Sequence, residues 1–158
     1  MTTPQEVLER YRALGWRLAA AESCTGGMVM AALTDIPGSS DVVDCGFVTY
    51  SNGSKIGLLG VSKATLDAQG AVSEEVAREM AEGVLERSVA DVAVAITGIA
   101  GPGGSEFKPE GRVCFALAVR NRPTLSETVE FGPLGRAVVR DQSVQKTLSM
   151  LIEAAITE

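Results

Sequence analysis

Histidine is absent from all 158 residues. Its absence removes Ser-His-Asp and Cys-His nucleophile systems, H-E-x-x-H zinc sites and imidazole acid-base chemistry. Proton transfer on this chain must fall to Lys, Tyr, Asp, Glu or Cys. Aromatic residues are scarce as well, 4% against 46% hydrophobic overall, so a core has to be built from Ala, Val, Leu and Ile, which suits helices packed closely on a sheet. The three cysteines, Cys24, Cys45 and Cys114, are odd in number and far apart; they signal neither a disulfide framework nor a compact thiolate metal site. No run approaches the roughly 20 apolar residues of a bilayer span. The opening MTTPQEVLER lacks the basic and apolar sections of a secretory signal, so the expected address is the cytoplasm, without a membrane partner. Positive charge is also short: 14 Lys and Arg against 20 Asp and Glu leave a formal net charge of -6, which argues against nucleic acid as the main partner.

What is present reads as one domain over residues 1–158, since this length fits a single core. Thr3, Pro4 and Glu6 make a helix start with a capping box, followed by Val7, Leu8, Tyr11 and Leu14 on one face. WRLAAAE can supply a first strand, SCTGG a turn, and the residues to about Leu33 a helix. CGFVTYS predicts a second strand, with NGSKIGLLG carrying Lys55 off its end on a short helix or turn. Ser73 caps a long helix with Val76, Ala77, Met80, Ala81, Val84 and Leu85 on its buried face. DVAVAIT is apolar without clean alternation, as expected of a central strand covered on both faces. RVCFALAV and the more polar LSETVEF read as an antiparallel pair near an edge. From about Leu134 a last helix closes the fold. The sum predicts a three-layer α/β/α sandwich with a mixed, mainly parallel sheet.

In open α/β sheets ligands collect beyond the carboxyl ends of the strands. Three polar loops occupy such positions: Ser23 to Gly27, Tyr50 to Lys55, and Thr97 to Gly104. Ser23 at a helix start would place its hydroxyl near free amides of Cys24, Thr25 and Gly26, which can receive charge forming on a carbonyl oxygen. Without histidine, a serine nucleophile needs another base, and Lys55 is the economical choice. Tyr50 and Thr97 offer hydroxyls to orient or relay a proton. The loop GIAGPGG, with Gly101, Gly103 and Gly104, can cradle ligand oxygens through its amides, although it matches neither the P-loop nor the dinucleotide fingerprint. Arg136 and Arg140, four apart, can share a helical face and hold an anion. Each feature also has a plain structural reading as cap, tight corner or solvated face. No metal ligand set and no organic cofactor motif stands out.

Taken together, AESCTGG, GFVTYSNGSKIGLLGV, GAVSEEVAREMAEG, AITGIAGPGG, KPEGRVCFAL and the arginine-bearing terminal helix resemble the carboxy-terminal domain of the CinA family over nearly the whole chain. The family includes stand-alone nicotinamide mononucleotide amidohydrolases. The resemblance implies an α/β/α domain that forms homodimers and hydrolyses a carboxamide without metal or cofactor. It puts the nucleophile on Ser23, the lysine on Lys55, and the motif tyrosine and threonine on Tyr50 and Thr97. Nicotinamide mononucleotide or a related small nucleotide is the implied partner. The sequence departs from the family pattern at Gly135, which stands in place of an acid before Arg136, and at Glu110, where an apolar residue is frequent, in a slightly shortened glycine loop. Those departures motivate the alternative of a catalytically weak nucleotide-binding or regulatory module.

Overall fold

The computed structural model describes residues 1–105 and 107–156. Glu106, within the glycine-rich loop, and Thr157 and Glu158, at the end of the expected domain, lie outside the described residues. Among the described residues, six helices and five strands follow in the order α1 (Pro4–Leu14), β1 (Leu18–Glu22), α2 (Met28–Thr34), β2 (Val43–Val48), α3 (Asn52–Leu59), α4 (Lys63–Gln69), α5 (Glu74–Glu86), β3 (Val92–Gly98), β4 (Arg112–Val119), β5 (Leu125–Glu130) and α6 (Arg136–Ile156), with a short 3-10 turn at Ser39–Asp41. The capping box at Thr3 and Glu6 starts α1, and Ser73 caps α5, both where the sequence places them. Helix α4 had no expectation in the sequence. Its cap, Ser62, resembles any other loop serine, and only Leu66 is buried on it.

The sheet order is β2-β1-β3-β4-β5. Here the expectation of a mainly parallel sheet is corrected. The pairs β1-β2 and β1-β3 are parallel, whereas β3-β4 and β4-β5 are antiparallel. The reason is the connection. A parallel neighbour needs a crossover, usually helical, and the chain leaves β3 through the glycine-rich loop and returns as β4 without one. Beyond β4 a short turn suffices. The antiparallel pairing of β4 with β5, and the polar character of β5 at the edge, match the sequence reading.

Strand alternation sorts the side chains between two cores. Leu18 and Ala20 of β1, with Val92, Val94 and Ile96 of β3, face α1, α2 and α6. Ala19, Ala21, Ala93 and Ala95 face the other way, toward α5, where Val76, Met80 and Val84 close down on them. One side of the sheet is built from branched residues, the other largely from alanine. On the branched side the Tyr11 hydroxyl donates to the Leu151 carbonyl at 2.9 Å, tying α1 to α6. Among the described residues no helix is long and apolar enough to cross a membrane.

Candidate functional site

Parallel pairing aligns the ends of β1, β2 and β3: Glu22 stands opposite both Val48 and Ile96. The loops that follow these strands therefore meet. They enclose a cavity of about 350 Å³ lined by residues that include Ser23, Cys24, Tyr50, Lys55, Thr97, Gly101, Gly103, Gly104 and Arg136.

Alternation continues past the end of β1 and decides which way its two polar residues point. Glu22 shares the face of Leu18 and Ala20 and is fully buried. Its carboxylate accepts from the Thr25 hydroxyl at 2.6 Å and from the backbone N–H groups of Gly27, Val29 and Met30 at 3.2, 3.0 and 3.1 Å. An acidic group at a helix start satisfies amides that have no partner within the helix and meets the positive end of its dipole. Glu22 thus caps α2. On a plain structural reading of the sequence Ser23 or Thr25 is the cap, because a glutamate inside an apparent strand carries no cap signature.

The helix starts four residues later than a cap at Ser23 requires. A turn covering residues 23–27 intervenes, with Gly26 at φ 58° and Gly27 at φ 106°, both in the left-handed region. Glycine takes this geometry at little cost. Arg140 grips the outside of the turn, donating to the carbonyls of Cys24 and Thr25 at 3.0 and 3.3 Å. Thr25, Gly26 and Arg140 accordingly brace the turn and do not line the cavity. The Gly26 N–H donates to the Ser23 carbonyl at 3.0 Å.

Ser23, one residue after Glu22, points to the opposite face and meets Lys55. Helix α3 opens with a reciprocal cap between Ser51 and Ser54, and Lys55 and Leu59, four apart, form its buried side. Lys55 is 1% exposed. Its Nζ donates to the Thr49 carbonyl at 2.7 Å and to Ser23 Oγ at 3.0 Å. An ammonium withdrawn from water is costly unless it is hydrogen-bonded. These bonds offset part of that cost and fix the nitrogen against the serine. The Thr49 carbonyl was invisible in the sequence, since any residue supplies one.

Thr97 and Tyr50 take other partners. The Thr97 hydroxyl donates to the Ala71 carbonyl at 2.9 Å, holding the segment before α5 against β3. The Tyr50 hydroxyl accepts from Arg136 at 2.7 Å, while the other guanidinium nitrogen of Arg136 donates to the Gly101 carbonyl at 2.7 Å. Tyr50 is 62% exposed, so this bridge lies at the cavity mouth. In the glycine loop the Gly103 N–H donates to the Glu110 carboxylate, and the Ser105 N–H to the Lys108 carbonyl. These two amides are committed within the loop. Asn52, Ala71, Val72 and Ser105 complete stretches of the lining that the sequence reading did not single out.

Cys24 lies beside Ser23 and is buried, and burial pushes its thiol up to about 11. It is a protonated neighbour at neutral pH. Among the described residues no group of three or more His, Cys, Asp or Glu side chains is placed to hold a metal ion.

The chain is 48% identical over 152 residues to nicotinamide-nucleotide amidohydrolase PncC of Enterobacter agglomerans, covering 96% of this chain and 92% of that protein. It is 50% identical over 139 residues to a CinA-like protein of Mycobacterium marinum, covering 87% of this chain and 32% of that one. The chain spans less than a third of the length of this and other curated relatives that it matches. Among solved structures, the competence/damage inducible protein CihA of Agrobacterium tumefaciens is 48% identical with a TM-score of 0.92, covering 95% and 92% of the two chains. A CinA superfamily protein of Klebsiella pneumoniae is 36% identical with a TM-score of 0.94, covering 98% and 96%. The family model described as the CinA C-terminal domain matches residues 1–155, and the chain belongs to that family.

Proposed function

We propose that the protein hydrolyses the carboxamide of nicotinamide mononucleotide, giving nicotinate mononucleotide and ammonia, with Ser23 as nucleophile and Lys55 as base. The relationship to the amidohydrolase of Enterobacter agglomerans supports a hydrolytic role on a small nucleotide. The observation that carries the finer reading is the 3.0 Å contact between Lys55 Nζ and Ser23 Oγ inside the cavity.

The reaction needs a neutral amine. Loss of water around Nζ removes solvation that favours an ammonium, and with the amine neutral the same contact reverses, the serine hydroxyl donating to nitrogen. As Oγ bonds to the carboxamide carbon, its proton passes to Nζ. The amide of Cys24, which lines the cavity, is the candidate to receive the developing oxyanion; Gly26 is not, because its N–H is committed to the Ser23 carbonyl. The C–N bond then breaks, and the proton moves from Nζ to the departing nitrogen, which leaves as ammonia. Water attacks the resulting ester, gives its proton to Nζ and releases the acid, restoring the Ser23 hydroxyl. The route uses neither a metal nor an organic cofactor. Arg136, at the mouth, is the cation placed to meet the phosphate.

Formation of ammonia and nicotinate mononucleotide from nicotinamide mononucleotide, without added metal, tests the proposal. Turnover is expected in the native protein and a loss of at least roughly 10³-fold in Ser23→Ala. A folded native protein that releases no ammonia, or a Ser23→Ala protein that keeps its rate, overturns it.

A further inference from the structure

The ionisable side chains lining the cavity include two basic ones, Lys55 and Arg136. Directly behind the lining sits a charge of the opposite sign. Glu110 accepts the Gly103 N–H, and its Cγ and Cδ lie 2.8 and 2.7 Å from the point where a Cβ on Gly101 would stand. The carbonyl of that same Gly101 accepts from Arg136 at 2.7 Å. One residue therefore separates guanidinium from carboxylate. Among the described residues no cation lies within ion-pair distance of Glu110.

We infer that Glu110 is a specificity-determining residue that weakens the hold of the cavity mouth on an anionic substituent, so that a phosphorylated substrate and its riboside, which lacks the phosphate, are separated less sharply than Arg136 alone would separate them. It acts in two ways. Its charge opposes the attraction of Arg136 for an anion across a single glycine. Its oxygen also occupies the Gly103 N–H, a donor that a ligand oxygen would otherwise use. Glycine at position 101 makes this possible, because any side chain there would collide with the carboxylate. The inference rests on the amidohydrolase reading only for the choice of nucleotide; the effect on anions needs the cavity alone.

The test measures dissociation constants by calorimetry for inorganic phosphate, nicotinamide mononucleotide and nicotinamide riboside on Ser23→Ala protein, in which the proposed turnover is blocked, with and without Glu110→Gln. Glutamine has nearly the same shape, and its oxygen can still accept from Gly103, so the change removes the charge and leaves the brace. The nucleotide and inorganic phosphate should bind roughly threefold to tenfold tighter at low ionic strength, with a smaller gain in high salt, and the riboside, a pyridinium cation without the phosphate, should bind no tighter. Glu110→Asp retains the charge and should show no such gain. Should Glu110→Gln fail to fold, Glu110→Met, uncharged and of similar volume, replaces it. Unchanged affinity for both anions overturns the inference, as does equal tightening of the riboside, or a gain in Glu110→Asp that matches Glu110→Gln. Failure of the amidohydrolase reading is a separate result, an absence of ammonia release from the native protein, and leaves the inorganic phosphate measurement readable.

Discussion

Glu22 and Lys55 are both ionisable, both withdrawn from water, and both at the carboxyl end of the sheet, yet they lie on opposite faces and are used differently. The Glu22 carboxylate is bonded to a hydroxyl and three backbone amides of its own turn and helix. Lys55 bonds to a carbonyl and to a serine hydroxyl that lines a cavity. A buried charge whose partners are mostly backbone does structural duty, because those partners exist only when the fold does. A buried charge set against a hydroxyl with space beyond it can exchange a proton. Burial alone does not identify a reactive group; the nature of its partners does.

Three changes would break or sharpen this contrast. The largest effect is expected from Lys55→Met. Methionine fills most of the volume without the amine, so nucleotide binding measured by calorimetry should survive while ammonia release falls by roughly 10²- to 10⁴-fold. A variant that retains its rate would separate Lys55 from the chemistry. Glu22→Ala should show the reverse pattern, with stability lost first. Removing the carboxylate strands a hydroxyl and three amides at the start of α2, and urea denaturation should report a loss of about 3–5 kcal/mol. Little change in the denaturation midpoint would mean that water replaces the carboxylate easily.

The smallest effect concerns Cys24, between the two charges. Its thiol is raised by burial to about 11, whereas an unfolded cysteine ionises near 8.5. Between those values the folded chain holds a proton that the unfolded chain has lost, so stability falls as pH rises through this window and is fully present below it. Burial also raises the Tyr11 phenol, which adds to alkaline sensitivity. Thermal melts from pH 8 to 11 should show Cys24→Ala losing less stability than the native protein. Identical slopes would place the alkaline loss elsewhere, with Tyr11 as the next candidate.

Much of this molecule was legible beforehand. Helices α1 and α5 announce themselves through Thr3, Glu6 and Ser73, local side-chain caps that need no partner from elsewhere. The three loops around the cavity were legible because strand ends followed by Ser, Lys or Gly leave few alternatives in an α/β sheet. Glu22 was not. Its role depends on which face of β1 it occupies and on where α2 begins, and the latter is five residues beyond the serine that had the look of a cap. Arg140 was also beyond reach as a brace, since helical spacing pairs it with Arg136, while the packing of α6 sends one guanidinium to the mouth and the other behind the turn.

By itself the sequence determined the layers, because hydrophobic periodicity and capping act within a few residues, and it excluded histidine chemistry outright. It also narrowed the candidate base to a handful of side chains. Only the tertiary structure decided that β3 and β4 pair antiparallel, that Thr49 lends a carbonyl to Lys55, and that Glu110 stands behind the mouth. The physical reason is common to all three. Each depends on where a backbone returns after a loop, and a loop's path is set by the contacts it makes at its far end, not by the residues along it.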